Sequence, residues 1–316
     1  TEEKEKKEKS NKNLPIKPGR FYDLNTDTGS WMSLDVSPDG QTIVFDLLGD
    51  IYSIPISGGK AKRITKGMAF DSHPKYSPNG ESIVYVSDKS GGNNVWIRDL
   101  NSNDSIQITK EKDNQTAFAD WSKDGDYLIV SKGRRNLKLH MYHKDGGNGV
   151  KLIDKPSSLK IVQPEVGIND RYIWYANRTN SWQYNAGLPQ YQISKYDRET
   201  GDIKRETSRF GSAFTPTLSP DGKSLVYGTR YEDKTALRIR NLETGYEKLL
   251  AFPVQKDDQE SQATMGVLPN MAFTPDSKNL ILSYGGKINK IDINEGKSHE
   301  IPFQINETIE VGPELK

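Results

Sequence analysis

Trp31-Met32-Ser33-Leu34-Asp35-Val36-Ser37-Pro38-Asp39-Gly40, followed two residues later by Ile43-Val44-Phe45, is the stretch on which the fold turns. Pro38 presets φ at the first central position of a tight turn, Asp39 bonds its own backbone, and Gly40 accepts the positive φ that closes the hairpin. The unit recurs as Ser77-Pro78-Asn79-Gly80, Ser122-Lys123-Asp124-Gly125, Ser219-Pro220-Asp221-Gly222 and Thr274-Pro275-Asp276-Ser277, with a degraded copy, Gly167-Ile168-Asn169-Asp170. The copies start at 37, 77, 122, 167, 219 and 274, so they lie 40 to 55 residues apart. That is the period of propeller blades rather than of helical solenoids.

An apolar run follows each turn: Ile43-Val44-Phe45, Ile83-Val84-Tyr85, Leu128-Ile129-Val130, Ile173-Trp174-Tyr175, Leu225-Val226-Tyr227 and Leu280-Ile281-Leu282. Continuous apolarity means a strand covered on both faces, as between two neighbouring blades. A second column, Val36, Tyr76, Trp121, Val166, Leu218 and Phe273, ends the strand before each turn. A third strand such as Ile51-Tyr52-Ser53-Ile54 and a fourth such as Lys62-Arg63-Ile64-Thr65 complete each unit. Helical periodicity is absent. The expected fold is therefore all-β, a six-bladed propeller of four-stranded antiparallel blades over 21–316. Its blades fall roughly at 31–65, 71–109, 116–154, 162–208, 214–251 and 270–304. Phe21 to Asn25 and Thr308 to Val311 are the segments available to close the ring; the alternative is a larger propeller that takes a further blade from elsewhere and leaves an open edge here.

Composition narrows the function classes. Hydrophobic residues make up 33% and mean hydropathy is -0.77, so the 15 Tyr, 9 Phe and 5 Trp supply much of the burial. With 44 basic and 43 acidic residues the net charge is +1, which draws the chain to neither nucleic acid nor an anionic membrane. No apolar run approaches the roughly 18 residues of a membrane span. Without Cys there is no disulfide, thiolate metal site or Cys nucleophile. Residues 1–20 begin with an apolar-free Lys/Glu-rich run and read as a solvated tether, of the kind that follows a removed export signal or lipid-anchor site. The expected location is exported, either periplasmic or tethered to the cell envelope as a lipoprotein.

Two polar columns face the propeller axis. Two residues before each turn stand Asp35, Lys75, Asp120, Glu165, Thr217 and Ala272, and two further back Ser33, His73, Phe118, Gln163, Thr215 and Asn270. Such a ring suits a cation, a ligand amine or water, or serves as polar bonding between blades. The loops between second and third strands, and between blades, emerge on one face, where binding residues concentrate. The longest are 177–190 and 252–269; Trp182 and Tyr184 in the first are candidate ligand or partner anchors. The loop 132–138 adds Arg134 and Arg135. His140 and His143, three apart on a strand, point to opposite faces and make no metal pair. Asp46 and Asp50 read as exposed acids flanking a hairpin. Neither Gly-x-Ser-x-Gly nor a phosphate loop is present, so no catalytic residue is assigned.

The pattern of turn, apolar strand, Ile51-Tyr52-x-x, Gly58-Gly59 and Arg63-Ile64-Thr65 resembles the repeats of TolB-type propellers, also seen in tricorn-like and prolyl-oligopeptidase-like proteins. The stretch from Trp31 to Tyr52, with Gln163-Pro164-Glu165, Tyr196-Asp197-Arg198-Glu199-Thr200-Gly201 and Gly285-Gly286-Lys287-Ile288, is similar to the opening of large exported bacterial amidohydrolases. In those, a propeller precedes a metal-dependent hydrolase barrel with a His-x-His motif. This chain has only His73, His140, His143 and His299. The resemblance therefore implies a non-catalytic front part that scaffolds or filters access to a barrel. No cofactor is expected in this chain, and a divalent metal only in that further domain. The expected partners are that domain or an envelope protein, with a peptide or small molecule as ligand. A stand-alone TolB-like interaction module is the alternative, and an enzyme using Asp35, Asp120 and Glu165 the third reading.

Overall fold

The computed structural model describes residues 17–112, 115–178, 187–259 and 266–314. Each turn motif joins the first two strands of a four-stranded antiparallel sheet, and six such sheets follow in chain order. The first runs from Leu34–Val36 through Thr42–Leu47 and Asp50–Pro55 to Lys62–Arg63. The others open on Asp71–Tyr76, Gln115–Trp121, Lys160–Val166, Phe214–Leu218 and Ala272–Phe273. Among the described residues there is no helix. The runs that follow the turns are buried throughout, because each second strand lies between two neighbouring blades.

The turns also interlock around the ring. A Cβ added at Gly40 would meet Pro275 of the sixth blade at 3.3 Å, and one at Gly80 would meet Pro38 of the first at 3.4 Å. Where the glycine is missing, a polar side chain replaces the close contact with a hydrogen bond. Asp170 and Ser277 both hold positive φ, 59° and 60°. The Asp170 carboxylate accepts from Lys123 N at 2.7 Å, and Ser277 Oγ from Asp221 N at 3.1 Å. Lys123 stands where four other copies have proline, so it keeps an N–H to give; in blade five proline is retained and Asp221, the residue after it, donates instead.

The ring closes at six blades. Leu34 N donates to Asn270 O and Asn270 N to Ser33 Oγ, both at 3.2 Å, so the first strands of blades one and six meet directly. Arg20–Thr26 and Phe303–Val311 do not extend the last blade; they pair antiparallel with each other, Arg20 opposite Val311. This ribbon fills the outer seam between blades one and six, where Leu24, Phe303, Ile305 and Ile309 pack with Phe45, Tyr52, Ile281 and Ile288. Buried Arg63 fastens it: its guanidinium reaches Asp50 at 2.7 Å, Glu310 at 2.6 Å and Thr308 O at 3.1 Å.

Candidate functional site

The turn face and the loop face of the ring offer two different sites. On the turn face, the first strands bring Asp35, Lys75, Asp120 and Glu165 together around a mouth of about 330 Å³. Lys75 Nζ lies 3.0 Å from Asp120 and 2.6 Å from Glu165. The carboxylates also reach the next blade's backbone: Asp35 accepts from Tyr76 N at 2.8 Å, Asp120 from Val166 N at 2.7 Å, and Glu165 from Leu218 N at 3.4 Å. Burial alone would lower the Lys75 ammonium, but Asp120, Glu165 and Asp35 hold it above its usual value. Burial pushes the Asp35 carboxyl up to about 7 against the pull of Lys75. The column is thus a set of inter-blade clamps sharing one cation.

One layer deeper, the axis is closed. His73 stacks edge-on against Phe118 at 4.8 Å, Thr215 Oγ1 donates to Gln163 at 2.8 Å, and Gln163 Nε2 donates to Leu268 O at 2.9 Å. His73, Gln163 and Thr215 each take positive φ at a bulge, which lets the inner strands turn this layer inward. Of the stretch 252–269 read as a loop, Phe252 to Lys256 continue the strand Glu247–Lys256, and residues 266–268 are drawn into this plug, with Val267 and Leu268 buried. Only about 10 Å³ remains between the layers.

On the loop face lies a cavity of about 650 Å³ at the meeting of blades six, one and two, near the two-residue turns Leu48-Gly49 and Gly285-Gly286. Short hairpins on adjacent blades leave low ground between longer connections. Trp31, Leu48, Phe70 and Tyr284 form much of the wall, and Asp46, Asp71 and Asp258 bring carboxyl groups to it. Asp46 and Asp50 are buried rather than exposed. Asp46 accepts from Ser33 N at 2.8 Å and His73 N at 2.7 Å, tying blade one to blade two, while Asp50 answers Arg63. The hairpin between them is too tight to swing either acid outward. Burial raises the Asp46 carboxyl to about 7. Burial also raises Asp71 and Asp258, the former against the pull of nearby Ser87 and Thr65 hydroxyls.

Arg134 and Arg135 are exposed on the rim of blade three, away from this cavity. Trp182 and Tyr184 lie outside the described residues. His140 is buried and bonds Lys138 O, whereas His143 is exposed beside Asp145. Sequence reasoning passed over Asp71, Phe70 and Asp258 because nothing in their local pattern marks them. The shortness of two adjacent hairpins was the available signal.

A closed ring of six four-stranded blades, keyed by Ser-Pro-Asp-Gly turns and plugged at its axis, defines a TolB-type propeller. The chain belongs to the TolB β-propeller family: the family model described as the TolB beta propeller domain matches residues 16–185. An uncharacterized protein of Agrobacterium fabrum is 30% identical over 135 residues, 37% of this chain and 44% of that protein. Tricorn protease homolog 1 of Streptomyces coelicolor is 26% identical over 102 residues, 32% of this chain and 10% of that protein. The match thus spans less than half the length of either relative. TolB from Acinetobacter baumannii superposes with a TM-score of 0.63 at 16% identity, covering 88% of this chain and 65% of that one. Tricorn protease gives 0.66 at 15% identity, covering 87% and 26%. At such identities the likeness is one of fold.

Proposed function

We propose that this propeller is a non-catalytic binding and access module of an exported envelope protein, and the front part of a metal-dependent amidohydrolase-like parent. The loop-face cavity carries the reading, because apart from Asp46, which ties blade one to blade two, its aromatic wall and Asp71 Oδ1 are not engaged in hydrogen bonds between blades. The axial carboxylates, which a propeller enzyme would need, are committed to Lys75 and to backbone amides of the next blade. A divalent metal would belong to the parent's own hydrolase domain. Closure of the ring at six blades also suits a stand-alone interaction module, the second reading.

Photocrosslinking separates them. A benzoylphenylalanine placed at Phe70, half-exposed on the cavity rim, is expected to capture one defined species in intact cells, either a further domain of the same polypeptide or a separate envelope protein. The same group at Tyr246, exposed elsewhere on the ring, is expected to capture neither. Equal adducts at both positions, or none at Phe70, contradict the reading.

A further inference from the structure

Asp71 is 4% exposed, sits in the cavity wall, and its Oδ1 accepts no hydrogen bond. A buried carboxylate oxygen without a partner carries a desolvation cost that natural structures rarely leave uncompensated. The protein's own cations do not supply the compensation. Lys89 lies near enough to attract Asp71, but its Nζ is 2.7 Å from Tyr85 Oη and 3.7 Å from the centre of the Trp96 ring. Lys256 is largely exposed and leans on Asp258 at 3.4 Å. Asp46 spends both oxygens on backbone amides. The Ser87 and Thr65 hydroxyls pull on Asp71 but bring no charge, so the cavity brings together a carboxylate with one open oxygen and no ion-paired cation, and aromatic faces from Trp31, Phe70 and Tyr284. Aromatic faces attract cations and cover apolar groups.

We infer that the loop-face cavity binds a primary ammonium carried on a short apolar or aromatic body, with Asp71 receiving the charge. This rests on the loop face being the binding face. An ammonium offers three donors for Asp71 and its neighbours, while the apolar body fills the space against Phe70 and Leu48. A small amine and the free amino terminus of a peptide share this chemistry.

Isothermal titration with phenethylamine, 2-phenylethanol and 3-phenylpropionate at pH 7.5 tests it. These probes have similar apolar bodies and differ in the charge of the head. The ammonium is expected to bind at least tenfold more tightly than the other two, and Asp71→Asn is expected to remove that preference. Tenfold corresponds to about 1.4 kcal/mol. Two hexapeptides beginning with Phe, one free and one acetylated at the amino terminus, name the source: preference for the free form points to a peptide, and phenethylamine binding alone to a small amine. Equal binding of alcohol and ammonium, tighter binding of the carboxylate, or undiminished preference in a folded Asp71→Asn variant overturns the inference. If that variant does not fold, the wild-type preference decides. Binding of the neutral or anionic probe as tightly as the ammonium sinks the ammonium assignment alone, whereas failure of the Phe70 crosslink sinks the loop-face reading itself.

Discussion

The turn face and the loop face of this ring both gather carboxylates, yet they treat them in opposite ways. At the turn face Asp120 and Glu165 share Lys75, and each also holds an amide of the following blade. At the loop face Asp71 keeps an oxygen with no partner, beside a cavity of about 650 Å³. Charge that is answered within the fold holds the fold. Charge that hydroxyls touch but no cation pairs with, beside open space, is where a ligand can supply the missing interaction.

The largest effect should come from breaking the turn-face arrangement. Lys75→Met leaves Asp120 and Glu165 buried without their cation and is expected to cost about 3–5 kcal/mol in urea denaturation at pH 8. Lowering the pH to 5.5 should recover part of that loss by protonating Glu165, whose carboxyl burial pushes up, and a loss unchanged by pH would show that Lys75 acts only through packing. Next comes Asp46→Asn. An amide serves one of the two N–H donors but opposes the other, so about 1–3 kcal/mol should be lost at pH 8.

Asp46 also sets a pH dependence whose sign follows from its raised value. The folded carboxyl titrates at about 7 and the unfolded one near 3.9, so between those values the folded state binds the extra proton. Stability therefore falls as pH rises from about 4 to about 7. Asp35, raised to about 7 as well, acts in the same direction. Wild-type melting temperature is expected to rise as pH drops from 8 to 5.5, and Asp46→Asn to show a smaller rise; an identical rise would remove Asp46 from the account.

Phe70→Ala, at a side chain 48% exposed on the cavity rim, is expected to cost no more than about 1 kcal/mol while weakening phenethylamine binding several-fold. A large stability loss without a binding loss would mean that the rim is structural. Smallest of all, the double change Arg134→Ala and Arg135→Ala should shift stability by within about 0.5 kcal/mol and leave amine binding alone. Altered binding would move the site toward blade three.

Much of the architecture was legible because a blade repeats. Six copies of one turn, each followed by an apolar strand, announce their own period, and even the degraded copy at Gly167 is recognisable by place. The axial column was legible for the same reason, since a fixed offset from the turn selects Asp35, Lys75, Asp120 and Glu165. What that column does was not, because the choice between ligand site and clamp depends on Lys75 reaching two acids across blades 45 and 90 residues away. The burial of Asp46 and Asp50 was hidden too. Hairpin pattern places them beside a turn, but the His73 amide and the Arg63 guanidinium that enclose them come from another blade and another strand. The long connection 252–269 divides its roles: it continues the strand Glu247–Lys256, brings Lys256 and Asp258 to the loop-face cavity, and sends residues 266–268 into the axis as a plug. The cavity on the loop face has no motif, being the hollow left where neighbouring hairpins are short.

Two tryptophans stand at the two sites and make the contrast measurable at once. Trp31 lines the loop-face cavity, while Trp121 lines the axial mouth and donates its Nε1 proton to Lys75 O at 3.3 Å. In a proton–nitrogen NMR titration with phenethylamine, the Trp31 indole signal is predicted to move in a saturable manner while that of Trp121 stays fixed. A saturable shift at Trp121 with Trp31 unmoved would contradict the account, placing the ligand among the axial carboxylates and the structural role at the loop face.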